Sequence, residues 1–239
     1  PGGAGGVLRA APARLHRSLM GDNGQTRWAL DGGVGTIVID NPPMNVLTDL
    51  TRRGIQQALE EFRRDGALAV VLTGAGDRAF CGGADLREEE DLAPGTVDDF
   101  QRRNHAAFAA LRDFERPVLA AINGWAMGGG LVLALWCDLR LGSTRARLGA
   151  VGVKVGLMAS NVQLARLLPE GRARDALLTG RTLEAEEAHG WGLLSAVVAP
   201  DRLLAEATAW ARAVAALPAD AVAKAKSAVN HALDPETVR

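Results

Sequence analysis

Two glycine-rich segments of this sequence carry backbone amides that could bind an oxyanion. Phe80-Cys-Gly-Gly-Ala-Asp-Leu86 follows an apolar run, and Gly128-Gly-Gly lies between a predicted strand and a predicted apolar helix. The first amides of a helix have no partner within the helix, and the positive end of the helix dipole lies there. Two such loops side by side would form an oxyanion hole, which stabilises charge that develops on a carbonyl oxygen. The other interpretation of the triple glycine is close packing of strand against helix, for which one glycine normally suffices.

Signals for other catalytic classes are weak or absent in the sequence. It has no G-x-S-x-G elbow, Walker lysine or H-E-x-x-H motif. The histidines lack metal-ligand spacing, so we expect no metal site. Gly74-Ala-Gly76-Asp-Arg-Ala79 matches the dinucleotide pattern G-x-G-x-x-A, but a glycine-rich loop follows it where a helix would have to begin. A nucleotide-binding module is therefore the weaker alternative.

Alternating strands and helices must position these loops. Apolar runs predict strands at 34–40, 68–73, 118–122 and 139–141, and helical spacing predicts helices at 46–64 and 97–115. After about residue 161 the pattern becomes nearly all helical and ends in predicted helices at 201–216 and 218–233. This order predicts an α/β core followed by a helical C-terminal part.

Composition and charge narrow the class of protein. The 239 residues are 48% hydrophobic and 23% charged, as is typical of one globular domain. A net charge of −1 argues against a nucleic-acid partner bound through a general basic field. Cys81 and Cys137 have no C-x-x-C spacing, which predicts free thiols and a cytoplasmic location. Residues 117–137 are uncharged, but Pro117, Asn123-Gly124 and the triple glycine interrupt them, so we expect strand, turn and buried helix and no membrane span.

Several segments together resemble, in order and spacing, the crotonase (enoyl-CoA hydratase/isomerase) superfamily, over about residues 28–230. The segments that carry the resemblance are Asn41-Pro-Pro-Met-Asn45-Val-Leu, Thr73 to Leu86, Pro117-Val-Leu-Ala-Ala-Ile-Asn-Gly, Gly128-Gly-Gly, Cys137-Asp-Leu-Arg, Gly190-Trp-Gly-Leu-Leu-Ser-Ala-Val-Val and Lys226-Ser-Ala-Val-Asn. The resemblance implies a spiral of ββα units, a trimer or dimer of trimers, and an acyl-CoA thioester as ligand. It implies no cofactor other than the coenzyme A of the substrate.

The resemblance also assigns roles to particular residues. The N–H groups of Ala84 and Gly129 would form the oxyanion hole. Residues lining the substrate cleft would be Asn45, Val46, Gly82, Gly83, Asp85, Leu86, Gly128, Val132 and Gly152. Lys226 would lie near the CoA phosphates, although a solvated helix lysine is an equally good interpretation. We expect residues 25–200 to form the ββα core, 201–239 a helical region of the same domain that is short for the family, and 1–24 a disordered extension or cloning remnant.

The sequence departs from the family where hydratases carry two glutamates that activate water. Those positions correspond to Val132 and Gly152, and neither residue can transfer a proton. The run Gly152-Val-Lys-Val-Gly156 resembles naphthoyl-CoA synthases, in which a glycine leaves room for bicarbonate, but those enzymes also use a tyrosine and this chain has none. Three interpretations stay open: different chemistry such as decarboxylation or C–C bond formation or cleavage, an acyl-CoA-binding scaffold with weak catalysis, and ordinary hydration.

Several polar side chains near the glycine-rich loops are candidates for substitute acid–base groups. The acidic run Glu88, Glu89, Glu90 and Asp91 follows the Ala84 loop, and His105 lies on the next predicted helix. A solvated surface is the better interpretation of both. Ser160, Asn161 and Gln163 could hold a water or a carboxylate, but they cannot act as a base near neutral pH.

Overall fold

The computed structural model describes residues 19–85, 87–88, 97–157 and 162–232, whose strands form two sheets. The seven-stranded sheet contains β1 (Leu19–Asp22), β2 (Thr26–Asp31), β3 (Val34–Ile39), β4 (Ala69–Gly74), β6 (Val118–Ile122), β8 (Leu139–Ser143) and β11 (Ala196–Val198), in that spatial order. The four-stranded sheet contains β5 (Ala79–Cys81), β7 (Trp125–Met127), β9 (Arg147–Gly149) and β10 (Thr182–Glu184). The helices are α1 (Asp49–Arg64), α2 (Val97–Asp113), α3 (Gly129–Leu135), α4 (Val162–Leu167), α5 (Glu170–Thr179), α6 (Ala185–Gly190), α7 (Leu203–Ala215) and α8 (Ala219–Ala232), with a 3₁₀ helix at Val151–Val155.

The chain winds through the two sheets as a spiral. Each turn adds one strand to the large sheet and the next strand to the small one: β4 then β5, β6 then β7, β8 then β9. Strands β3, β4, β6, β8 and β11 are parallel neighbours, and so are β5, β7 and β9. Because successive turns stack in parallel, the loops that leave β5 and β7 lie beside each other. This confirms the predicted spiral of ββα units with a helical C-terminal part.

The large sheet is buried on both faces. Along β4, Val70 and Leu72 belong to the core that includes residues of α1 and of the small sheet, whereas Val71 packs with Ala207 and Ala211 of α7. A parallel strand covered on both faces reads as a continuous apolar run, which is why 68–73 could be predicted without alternation. Helix α7 therefore supplies the outer layer of the fold.

Helix α1 begins later than its apolar pattern predicted. The predicted helix starts at residue 46, but Thr48 is the N-cap and its Oγ1 accepts a hydrogen bond from the Thr51 N–H. Leu47 is in extended pairing with Ala84. The strand-like contact at Leu47 and the cap at Thr48 together exclude 46–48 from the helix.

The structure corrects two further expectations. Residues 19–22 form β1, paired antiparallel with β2, so disorder is wrong for that part of 1–24, and residues 1–18 lie outside the described residues. The region after 161 is not nearly all helical, since β10 pairs with β9 and β11 with β8. Both strands have three residues, too few to produce a periodic pattern. In the described ranges, no helix has the length and hydropathy that crossing a bilayer would require.

Candidate active site

Three backbone hydrogen bonds join the loop after β5 to the segment before α1. The Gly82 N–H donates to the Met44 carbonyl at 2.7 Å. The Leu47 N–H donates to the Gly83 carbonyl at 2.8 Å, and the Leu47 carbonyl accepts from the Asp85 N–H at 3.3 Å. Leu47 thus bridges the residues on either side of Ala84.

This pairing turns the Ala84 N–H away from Leu47. The Gly83 carbonyl accepts from Leu47, and in the trans peptide between Gly83 and Ala84 the N–H points opposite to that carbonyl, so the Ala84 N–H points away from Leu47. The Ala84 N–H has no acceptor among the described residues. It lies on the side where the chain enters α3.

The Gly129 amide meets the Ala84 amide at this point. A Cβ placed on Gly129 would lie 3.4 Å from the Ala84 nitrogen, and a Cβ placed on Gly83 would lie 3.5 Å from the Gly129 nitrogen. Gly129 is the first residue of α3, so its N–H has no helical partner, and within the described part of the chain no other group accepts from it. The structure therefore brings two unpaired N–H donors together.

The three glycines at the start of α3 lie in three different environments. Gly128 has φ 49°, which favours glycine. A Cβ on Gly130 would lie 2.0 Å from the Cys81 carbonyl oxygen, so Gly130 allows the helix to approach β5. A Cβ on Gly129 would make only ordinary contacts, the nearest at 3.4 Å. Packing therefore explains Gly130, a turn explains Gly128, and neither requires glycine at 129.

Asn45 and Val46, both predicted to line the cleft, differ in what their side chains contact. The Asn45 side chain is buried, accepts from the Asn41 N–H, and donates to the carbonyls of Ala75 (3.0 Å) and Ala79 (2.7 Å). A Cβ on Gly82 would lie 3.6 Å from a Val46 methyl, so Val46 faces this loop. Asn45 therefore braces the turn that begins β5, whereas Val46 lies against the glycine loop.

Val132 and Gly152, at the two positions where hydratases of the resembling family carry glutamates, differ in burial. Val132 is one turn into α3, donates its N–H to the Gly128 carbonyl at 3.1 Å, and is 1% exposed. Gly152 is half-buried in the 3₁₀ helix that follows β9, the strand whose Gly149 carbonyl accepts from the Gly128 N–H. Neither has a side chain that can transfer a proton.

Lys226 lies in a buried polar cluster. Its Nζ donates to Asp138 Oδ2 at 2.8 Å and to the carbonyls of Arg116 at 3.1 Å and Leu111 at 3.2 Å. The side chain is 7% exposed. The expectation of a solvated lysine is wrong, and contact with CoA phosphates stays a prediction that would require replacing these three acceptors.

The other titratable candidates are occupied or remote. Asp85 accepts from Arg87, and this hydrogen bond holds the pKa of the Asp85 carboxyl below its usual range. His105 is exposed and contacts the ring of Trp136, the residue after α3, so it lies about 10 Å along the helix from Gly129. Gln163 lies on α4, half-buried. Candidates that lie outside the described residues are Leu86, Glu89, Glu90, Asp91, Ser160 and Asn161.

Arg52 is a site residue that the sequence reasoning missed. Its side chain is 3% exposed, and its Nη1 donates to the Leu47 carbonyl at 2.9 Å. Its Nη2 lies 2.8 Å from Glu88 Oε2. Helical spacing could have indicated that Arg52 is buried, because residue 52 falls on the same face of α1 as the buried Ile55 and Leu59.

The nucleotide alternative is not supported by the local structure. Gly74 ends β4 and Ala79 begins β5, so the glycine pattern between them opens a strand and not a helix. A dinucleotide site needs a helix N-terminus at that point. In the described ranges, no group of three or more His, Cys, Asp or Glu side chains could hold a metal ion.

Comparison with known proteins identifies the family. Residues 30–239 match the family described as enoyl-CoA hydratase/isomerase. The chain is 35% identical over 209 residues to a protein of Rhizobium meliloti named "Probable enoyl-CoA hydratase", covering 85% of this chain and 80% of that one. It is 33% identical over 208 residues to a "Short-chain-enoyl-CoA hydratase" of Clostridium acetobutylicum, with coverage of 85% and 80%.

Solved structures give the same result. Pseudomonas aeruginosa DspI superposes with a TM-score of 0.86 at 33% identity, covering 90% of both chains. An enoyl-CoA hydratase/carnithine racemase from Magnetospirillum magneticum superposes with a TM-score of 0.85 at 30% identity, covering 90% of this chain and 83% of that one. The chain therefore belongs to the enoyl-CoA hydratase/isomerase family and has the crotonase fold that its sequence motifs predicted.

Proposed function

We propose that this chain binds an acyl-CoA thioester and stabilises the enolate of its acyl group. The observation that supports the proposal is the convergence of two unpaired amides, Ala84 N–H and Gly129 N–H, with Gly129 free of any packing requirement for glycine. A thioester carbonyl oxygen placed between them would accept both hydrogen bonds. As negative charge grows on that oxygen, both bonds strengthen, and loss of one such donor typically costs about 2.7 to 4 kcal/mol of transition-state stabilisation.

The residues around the two amides leave room for an acyl-CoA ligand. Val46 faces Gly82, and Gly82 and Gly83 carry no side chain that would block the approach of a thioester to Ala84. Coenzyme A would enter as part of the substrate, and the chemistry proposed needs no other cofactor. By family resemblance we also propose a homotrimer or dimer of trimers located in the cytoplasm.

The chemistry after carbonyl polarisation is proposed to differ from hydration by two glutamates. Val132 and Gly152 cannot remove a proton from water or from the α-carbon. In decarboxylation of a malonyl-type thioester, the bond between the α-carbon and the carboxylate breaks, CO₂ leaves, and its electron pair forms the enolate, which water then protonates. C–C bond cleavage can form an enolate in the same way. These reactions suit a site that stabilises an enolate but has no base at residues 132 and 152.

Carbonyl polarisation can be measured directly by ¹³C NMR of butyryl-CoA labelled at the thioester carbonyl. We expect the carbonyl resonance to move downfield on binding, because two hydrogen bonds polarise the C=O group. Gly129→Pro should remove most of this shift, since proline has no N–H yet is tolerated as the first residue of a helix. Glu170→Pro makes the same change at the first residue of α5 and should leave the shift unchanged. Binding with an unshifted carbonyl in the unmodified protein would contradict the proposal.

Product analysis distinguishes decarboxylation from hydration. We expect malonyl-type thioesters to lose CO₂ in the presence of the protein and crotonyl-CoA to keep its conjugated absorbance even at high protein concentration. The same assay on Gly129→Pro shows whether turnover depends on the hole. Rapid hydration of crotonyl-CoA by the unmodified chain would instead favour ordinary hydratase chemistry.

A further inference from the structure

The segment that follows Ala84 is fastened to α1 by an ion pair with a buried arginine. Arg52 Nη2 lies 2.8 Å from Glu88 Oε2, with the Arg52 side chain 3% exposed and the Glu88 side chain 32% exposed. The Glu88 carboxylate also accepts from the Asp49 N–H, the first amide of α1, at 2.9 and 3.1 Å. Glu88 is thus held by a guanidinium and by a helix-terminal amide together.

Arg52 connects this ion pair to the backbone opposite Ala84. Its Nη1 donates at 2.9 Å to the Leu47 carbonyl, the same oxygen that accepts from the Asp85 N–H. Glu88 in turn donates its own N–H to the Asp85 carbonyl at 3.1 Å. The contacts therefore close a loop: Arg52 to Leu47, Leu47 to Asp85, Asp85 to Glu88, and Glu88 back to Arg52.

The Ala84 amide lies directly before Asp85, one of the residues of this closed loop. Its direction depends on the Leu47 pairing, because Leu47 binds both the Gly83 carbonyl and the Asp85 N–H. A small rotation of the Gly83–Asp85 peptides would aim the Ala84 N–H away from Gly129. Catalytic hydrogen-bond donors need such fixed supporting contacts to keep their geometry.

We propose that Arg52 and Glu88 are positioning residues that aim the Ala84 N–H at the thioester carbonyl. The inference rests on the proposed function and names the side chains on which that function depends. Glu88, which was expected on a solvated surface, instead binds Arg52 and the Asp49 N–H with its carboxylate, so it serves as a structural partner and not as the acid or base of the reaction. A buried guanidinium without its carboxylate would be strongly unfavourable, which makes the two residues depend on each other.

The test uses the carbonyl ¹³C shift of bound butyryl-CoA together with the Kd for free CoA. Free CoA has no thioester carbonyl, so its Kd depends on binding in the cleft but not on the orientation of the two N–H groups. We expect Arg52→Met and Glu88→Gln each to lose most of the carbonyl shift and to bind butyryl-CoA about tenfold more weakly. The Kd for free CoA should stay within about twofold of the unmodified protein. The double variant should be no worse than Arg52→Met, because the two residues act as one unit.

Arg53→Met is the matched control, since Arg53 is the next residue of α1 and forms a surface ion pair with Asp49. It should leave both readouts unchanged. Glu88→Gln keeps the shape of its side chain and decides the question if Arg52→Met fails to fold. A full carbonyl shift in folded Glu88→Gln would overturn the positioning role while the oxyanion hole stands. Absence of any shift in the unmodified protein would overturn the oxyanion hole and, with it, the positioning role of Arg52 and Glu88.

Discussion

The ammonium of Lys226 lies 2.8 Å from Oδ2 of Asp138 and joins α8 to the turn between α3 and β8. The same carboxylate oxygen accepts from the Val118 N–H at 2.7 Å, at the start of β6. Burial is the main influence on Asp138 and raises the pKa of its carboxyl, while Lys226 acts in the opposite direction. No residue of α8 is fully buried, so this ion pair is a principal attachment of α8 to the rest of the fold.

Lys226→Met should therefore detach α8 before it affects the rest of the fold. The change removes three hydrogen bonds and leaves a buried carboxylate without its cation, a loss of about 3 kcal/mol. We expect faster amide hydrogen exchange across α8 and an earlier urea transition. Lys224→Met, an exposed position on the same helix, is the control and should match the unmodified protein.

The Lys226 variant also tests the CoA prediction. If the Lys226 ammonium holds CoA phosphates, its loss should weaken free CoA binding by more than any effect of helix detachment. Asp138→Asn separates the two effects, because it disturbs the same cluster and keeps the lysine. Equal CoA affinity in both variants would show that Lys226 does not bind the CoA phosphates.

Gly130→Ala should be among the most damaging small substitutions in the chain. The added Cβ would lie 2.0 Å from the Cys81 carbonyl oxygen, a backbone atom that cannot move without shifting β5. We expect loss of soluble protein or destabilisation of more than about 3 kcal/mol, measured by urea unfolding. Gly171→Ala, in α5 with nothing within 4 Å, should be neutral or stabilising by up to about 1 kcal/mol. Similar behaviour of the two variants would show that α3 can move away from β5.

The two glycine-rich loops of the candidate site could be located from the sequence because glycine marks positions of positive φ or close backbone approach. The order of strands followed from apolar runs such as 68–73 and 118–122, which the structure places at β4 and β6. The strands β5, β7 and β9 were not predicted, since three residues carry no periodicity. The resemblance to a family supplied the spiral that these short strands complete.

The ion pair between Arg52 and Glu88 could not be predicted from the local sequence pattern alone. A charged residue on an apolar helical face suggests a buried partner, but the partner, Glu88, is 36 positions away in an acidic run that resembles solvated surface. Similarly, Lys226 and Asp138 are 88 positions apart. Long-range pairing depends on the tertiary fold, which the chain pattern does not report.

The two cysteine thiols should be unreactive in the folded protein. Burial raises the pKa of both Cys81 and Cys137 from the ordinary 9.0 to about 12. We expect neither thiol to react with a disulfide reagent at pH 8 until the chain unfolds, when both should react. Labelling of one thiol at the rate of a small-molecule thiol would show local opening of β5 or of the end of α3.

The same thiols predict lower stability at alkaline pH. In the unfolded chain they ionise near 9.0, whereas in the folded chain they stay protonated to about 12, so the unfolded state binds fewer protons in between. The free energy of unfolding should fall as pH rises through this window, by about 1.4 kcal/mol per pH unit for each thiol. The chain has no tyrosine to add to this titration. Cys81→Ala should shallow the slope, and an unchanged slope would contradict the assignment.

Restoring carboxylates at residues 132 and 152 should create hydration activity. Val132→Glu with Gly152→Glu places acid–base groups where the family's hydratases carry them, and general acid–base catalysis typically contributes about 10² to 10⁴-fold. Val132 is 1% exposed, so burial will raise the pKa of a glutamate there and lower the stability of the fold. Gly152 is not among the glycines with positive φ, so its backbone accepts a side chain.

The measurement is the rate at which crotonyl-CoA loses its conjugated absorbance. We expect the double variant to exceed the unmodified chain by at least about a hundredfold, and each single variant to stay near the baseline because both groups act on one water. Val132→Gln with Gly152→Gln is the matched control, since glutamine has the same shape and cannot transfer a proton. If the glutamine pair hydrates crotonyl-CoA as fast as the glutamate pair, proton transfer at these positions is not what separates this chain from a hydratase.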